Sequence, residues 1–210
     1  MTLLLICLSI PFFLYLYAEF SIKESFTRWF KVPVSSGMIG IEVASKLLER
    51  YGLRDVKIEL VSGELTDYYD WTNKKMALSK DVYYGDSLAS VAVLAHEIGH
   101  ALQDRQNDFR LYDLSKKAKP VAVLLGSITP FLFIFGLIVW KWMIGLAIIS
   151  ILFVILVQLL VLLIEQDASR RAKLMLLENG FVTQKEMLGV NQTLSAAALT
   201  YVAAIFRWNV

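Results

Sequence analysis

Two stretches, residues 120–140 (PVAVLLGSITPFLFIFGLIVW) and 142–164 (WMIGLAIISILFVILVQLLVLLI), carry no charged side chain and are separated by Lys141 alone. A chain crosses hydrocarbon only if its backbone groups bond to one another, which a helix of about 20 apolar residues achieves. Two such runs back to back predict a transmembrane helical hairpin, and the rest of the chain must be arranged around it. Trp140 and Trp142 flank the lysine, and indole rings favour the headgroup zone, so this triplet is the predicted hairpin tip. Pro130 is a candidate kink in the first arm.

Residues 1–18 are also uncharged, and their basic neighbours follow rather than precede them, which predicts an uncleaved anchor instead of a secretion signal. Orientation follows from the same residues. Lys23, Arg28 and Lys31 follow the first run; Lys116, Lys117 and Lys119 precede the second; Arg170, Arg171 and Lys173 follow the third. Only Lys141 lies on the opposite side. The positive-inside rule places residues 19–119 and the segment after 164 in the cytoplasm, with the N-terminus outside. A further helix is expected near the C-terminus: Thr183 to Glu186 reads as a capping box, and residues 187–206 are uncharged. Its alanines suit close packing on other membrane helices, so it either spans or lies in the interface.

Composition agrees. Hydrophobic residues make up 57% of the chain and charged ones 19%, against about 45–50% and about 25% in soluble domains. The net charge of +2 is dispersed and offers no basic face for nucleic acid. Cys7 is the single cysteine, so neither an internal disulfide nor a cysteine-based zinc site is available.

In the charged portion, residues 35–52 show helical apolar spacing ending at Gly52, and VKIELV (56–61) alternates like a half-buried strand. A turn is expected at Asp70–Lys74, then a short strand near Lys75–Leu78, then one helix over 87–104. That helix holds both histidines of the chain. His96 and His100 are one turn apart, so both rings project from one face and reach a single Zn²⁺. Glu97 is displaced around the helix, in reach of a metal-activated water whose proton it takes as general base. Gly99 permits close backbone approach. The bland alternative, two histidines on an amphipathic helix, is hard to square with the only two histidines adopting the chelating H-E-x-x-H spacing.

The third ligand must be a carboxylate, since no histidine follows His100. Asp104 points away from the metal on the same helix. Glu165 stands where the hairpin returns to the cytoplasmic side, and Asp167 is about 200° further round a helix and does not share its face. The alternative for Glu165 is a charge that merely marks the membrane boundary.

AHEIGHALQ, EQDASRRA (165–172) and LSAAALTYVAA (194–204), together with IEVASKLL, GELTDYYD and VYYGDSLASVAVLAHE upstream, resemble the bacterial membrane-bound neutral zinc metallopeptidases of the YugP type. More distantly the chain is similar to the HtpX and CAAX-protease group, whose third zinc ligand is the glutamate of an E-x-x-A-D run. By position that implies Glu165 as ligand and Ala168 as the alanine, while Ser169 stands where that group has aspartate, leaving open what orients a histidine. The resemblance implies a hydrolase holding its substrate on an edge strand, for which Met76, Ala77, Leu78 and Ser79 are the candidates. Tyr201, Arg170 and Arg171 are candidate donors to a reaction oxyanion, the arginines alternatively being headgroup-facing charges. The aromatics Tyr68, Tyr69, Trp71, Tyr83 and Tyr84 line a cleft, pack the core or rest on the membrane surface.

The expected architecture is an α-helical membrane protein with a small α+β zincin-like cytoplasmic portion and three to four membrane helices. It divides into an anchor (1–18), a soluble portion (19–119), a hairpin (120–164), a cytoplasmic helix with the third ligand (165–182) and a membrane-associated C-terminal helix (183–210). The expected function is a multi-pass zinc endopeptidase of the gluzincin kind in the bacterial cell membrane, with one Zn²⁺ per chain and peptide or membrane-protein substrates. A site-2-type intramembrane protease would need the histidine helix to span, yet only residues 88–95 are continuously apolar before His96, and no Asp-Gly pair exists to supply a ligand. A zinc-clamped, non-catalytic membrane scaffold would have no use for Glu97.

Overall fold

A computed structural model describes residues 2–106 and 109–204. In chain order the elements are α1 (Thr2–Trp29), α2 (Gly40–Arg50), β1 (Lys57–Val61), β2 (Tyr68–Asp70), β3 (Lys75–Ser79), α3 (Lys80–Tyr83), α4 (Leu88–Arg105), α5 (Phe109–Ile138), α6 (Trp142–Glu178) and α7 (Met187–Ala204). They fall into two compact units. Met1–Ala18, Arg110–Ile164 and Leu199–Val210 form one; Glu19–Phe109 and Glu165–Ala198 form the other.

In the first unit, α5 runs unbroken through Pro120 and Pro130. Trp140 and Trp142 stack with ring centroids 6.3 Å apart at the turn into α6. Asp113–Ile138 and Trp142–Glu178 are, among the described residues, the two helices long and apolar enough to cross a membrane. Phe131, Ile138, Ile149 and Leu152 stand exposed on them, as lipid-facing side chains would.

The second unit has a continuous apolar core. Val43, Leu47 and Leu48 of α2 pack with Met76 and Leu78 of β3, with Val91, Leu94 and Ile98 of α4, and with Met175 and Leu176 of α6. The helix expected over 35–52 is shorter, Gly40–Arg50. Gly37 has φ +65°, and the Ser35 amide and hydroxyl are held by the Glu186 carboxylate at 2.6 and 2.8 Å, so residues 35–39 are tied off outside it. Gly52, at φ +72°, ends the helix as its position suggested. Glu186 also closes the box with Thr183, accepting from its amide at 2.7 Å.

The three strands pair in the order β1-β3-β2. β1 runs parallel to β3, with Lys57 opposite Lys75; β2 runs antiparallel, with Asp70 opposite Lys75. The Asp70 carboxylate accepts from the amides of Thr72 and Asn73, which makes the turn between β2 and β3. This arrangement corrects the expectation for Met76–Ser79. β3 is central, both of its ladders are taken, and Met76, Ala77, Leu78 and Ser79 are buried. An added strand needs free backbone groups, and β2 already takes the second side of β3 over Lys75–Ala77 while the Asp67 carboxylate takes the Ser79 amide, so the edges open to a further strand are those of β1 and β2. Tyr68–Asp70, three residues without alternation, gave no signal that it would cover one of those ladders.

α4 opens on Ser87, whose hydroxyl caps the Ser90 amide at 3.1 Å. Its buried face includes Leu94, Ala95, Ile98 and Gly99. At Gly99 it touches α6: a β-carbon there would stand 2.6 Å from the Ala168 carbonyl oxygen. Alanine is the better helix former by about 1 kcal/mol, but backbone cannot yield as a side-chain tip does, and overpacking costs about 1–3 kcal/mol. Gly99→Ala should therefore lower the melting temperature and weaken metal binding, whereas Gly145→Ala, with open space around it, should do neither. A Gly99→Ala protein melting at or above the wild-type temperature would contradict the close approach.

Candidate metal centre

α4 and α6 each present two side chains one turn apart toward the other. His96 Nε2 lies 3.0 Å from Glu165 Oε2 and 3.2 Å from His100 Nε2, and His100 Nε2 lies 3.3 Å from the same Glu165 oxygen. Three ligands of a tetrahedral zinc at 2.0–2.1 Å would be about 3.3–3.4 Å apart. The observed spacings fall within a few tenths of an ångström of that, so the donor set fits the ion without rearrangement of helices. His96, His100 and Glu165 are the one group of three or more such side chains, among the described residues, close enough to hold a metal. A fourth position remains for water or substrate.

The outer nitrogens of both rings are engaged, which leaves each Nε2 for a metal. Ser169, one turn beyond Glu165 on α6, places its hydroxyl 3.1 Å from His96 Nδ1. The serine thus occupies the orienting place left open by the missing aspartate. His100 Nδ1 lies 3.0 Å from the Oε1 of Gln103, and the Gln103 amide donates to Asp167 Oδ2, also at 3.0 Å. Sequence reasoning missed Gln103. It stands three residues past His100, on the same side of α4, and an amide at that spacing was the available signal.

Arg170 and Arg171 are not aimed as expected. Arg170 Nη2 donates to Asp167 Oδ1 at 2.5 Å and Arg171 Nε to Asp167 Oδ2 at 2.6 Å, and Arg171 also bonds Gln106. Asp167, displaced around α6 from Glu165, draws both guanidinium groups to its own side. Tyr201 lies on α7, and its side chain is outside the described residues. Asp104 points away from the metal group, as its helix position required, and accepts from the Tyr69 hydroxyl at 2.7 Å and from Lys74. Tyr69 and Tyr83 pack against the core; Tyr84 lines a cavity of about 760 Å³ between residues 19–31 and the β3–α4 connection, which the metal group does not border.

Glu97 is buried, and loss of solvent raises its carboxyl above the ordinary range, with Glu165 and Asp67 adding to the rise against the opposing histidines. For His100 burial disfavours the charged ring, but the Glu165 carboxylate, bonded to it and close by, more than offsets that and holds its pKa up at about 9. In the metal-free protein His100 therefore carries a proton on the nitrogen a cation needs. Below about pH 9 each unit of acidification should weaken cation binding at least about tenfold, and uptake at pH 7 should release at least about one proton. Calorimetric titration of the metal in two buffers of different ionisation enthalpy measures this, and equal heats in both would refute it.

Residues 4–207 match the model of a family described as "Putative neutral zinc metallopeptidase". The chain is 43% identical over 189 residues, 90% of its own length and 84% of the relative's, to "Putative membrane protease YugP" of Bacillus subtilis (strain 168). No solved structure matches. Matched over nearly its whole length, the chain belongs to this neutral zinc metallopeptidase family.

Proposed function

We propose that the protein is a multi-pass membrane zinc endopeptidase, in which His96, His100 and Glu165 hold one zinc ion and Glu97 is the general base. The observation that carries this reading is the convergence of three potential ligand atoms from two helices, His96 and Glu165 being 69 residues apart in sequence, within 4.8 Å of one another and beside a buried glutamate. Zinc held there would supply Lewis acidity, polarising a scissile carbonyl and making water a stronger acid. Glu97 takes the proton of the attacking water and passes it to the departing amine. A carboxyl raised by burial suits both halves of that exchange, because it binds the proton firmly enough to accept it and remains able to return it. Ser169 and Gln103 hold the two rings, and Tyr201 remains the candidate donor to the oxyanion.

Two long apolar helices and a relative named as a membrane protease support membrane association. The residues beyond them extend the reading. The anchor 1–18 and the C-terminal helix within 183–210 bring the membrane helices to three or four. The distribution of lysine and arginine puts 19–119 and 165–182 in the cytoplasm, with the N-terminus outside. The small sheet with α4 is the zincin-like portion, and substrates are peptides or membrane proteins that reach that face. A glutamate buried beside the ligands favours catalysis over a zinc-clamped scaffold.

Glu97→Gln should retain stoichiometric zinc and lose about 10²–10⁴-fold in kcat on a cleavable peptide, while Glu165→Ala should lose zinc itself. Metal analysis of the purified proteins alongside peptide turnover tests both. Undiminished zinc in Glu165→Ala, or undiminished turnover in Glu97→Gln, would sink the corresponding assignment.

A further inference from the structure

The bonds around the second histidine lead away from the metal group in a fixed direction. Asp167 sits between two guanidinium groups, at 2.5 and 2.6 Å, so its carboxylate is ionised and can only accept. The Gln103 atom facing it at 3.0 Å must therefore be the amide nitrogen, which turns the amide oxygen toward His100 Nδ1, also at 3.0 Å. That oxygen accepts only, so Nδ1 must carry a hydrogen. A neutral ring protonated on Nδ1 has its lone pair on Nε2, the atom that faces Glu165 and His96.

We propose that Gln103 is a positioning residue that relays the orientation imposed by Asp167 to His100, selecting the ring tautomer whose Nε2 binds the cation. This rests on the reading of His96, His100 and Glu165 as zinc ligands. Flipping the amide would set its oxygen against the Asp167 carboxylate, losing that bond, and would offer Nδ1 a donor, which suits only the tautomer whose Nε2 is protonated and closed to a cation. A packing role alone does not explain the residue. Gln103 is 8% exposed, and burying an amide is costly unless both ends are bonded. The first histidine has no such selector, because the Ser169 hydroxyl beside His96 donates as readily as it accepts. Arg170 and Arg171 thereby acquire a role: they keep Asp167 ionised and in place at the far end of the relay.

The test uses the full-length protein in detergent, with zinc affinity read by competition against a chromophoric chelator and coordination read from the visible absorption of the cobalt-substituted protein. Gln103→Leu should weaken zinc about 10–100-fold and shift the cobalt bands. Asp167→Asn should act in the same direction, and the double variant should bind no more weakly than Gln103→Leu alone, because the two act in series. Gln103→Glu should also weaken binding, since the new carboxylate faces Asp167 as a like charge; adding Asp167→Asn supplies an amide donor and should recover most of that loss. A residue that only fills space would show no such rescue, and this pair keeps the volume if the leucine variant does not fold. Zinc affinity of Gln103→Leu within about threefold of wild type, multiplying losses in the double variant, or a Gln103→Glu defect unrelieved by Asp167→Asn each overturns the relay. If the wild-type protein bound no zinc, the metal reading would fail first and the relay with it.

Discussion

The approach of α4 to α6 at Gly99 is the constraint on which the site depends. With no side chain at that position, the Ala168 backbone lies against the helix, and a β-carbon would meet its carbonyl at 2.6 Å. Side chains one turn apart on each helix then face each other across the contact. His96 and His100 project from one, Glu165 and Ser169 from the other. Imidazoles and carboxylates are short relative to ordinary interhelical distances of about 8–10 Å. A wider separation would leave the three ligand atoms too far apart to share an ion.

The short segment 165–171 does most of the organising. Its glutamate meets both histidines, its serine holds one ring, and its aspartate, itself held by two arginines, reaches the other ring through Gln103. Few of the bonds that fix the site come from α4 itself. Gln103 is the exception, and its amide is turned by Asp167 from across the contact. Ligand and orienting groups therefore move together with α6, so the docking of one helix assembles both shells.

Much of this was legible because it is local or forced by elimination. The spacing of His96 and His100, the place of Glu97 and the small residue at Gly99 are helix periodicity. Excluding cysteine and a third histidine left only carboxylates, among which the place of Glu165 at the end of the second long apolar run singled it out, and the two long helices follow from uninterrupted hydrophobicity. What escaped depends on approach between distant segments. Asp167 stands outside the His96–His100–Glu165 cluster, as its helical angle suggested, but the same angle does not say that Gln103 would be waiting there, nor that Arg170 and Arg171 would turn toward it. The sheet order was hidden for a similar reason. Strand pairing belongs to two segments at once, and Tyr68–Asp70 is too short to announce itself, so β3 was taken for an edge when it is the middle.

The charges at the centre also explain why a divalent cation suits it. Glu97 and Glu165 are both buried, and two unbalanced carboxylates in a largely apolar unit are costly. In the metal-free protein the balance is struck with protons: His100, with a pKa held up at about 9, answers Glu165, while burial keeps Glu97 inclined to its neutral form. A dication with two neutral imidazoles balances two ionised carboxylates and needs neither proton. Its field opposes the desolvation that raises Glu97, so an ion bound there would draw that carboxyl back toward its ordinary range. The burial that raises Glu97 is thus also what couples its protonation to any cation held beside it.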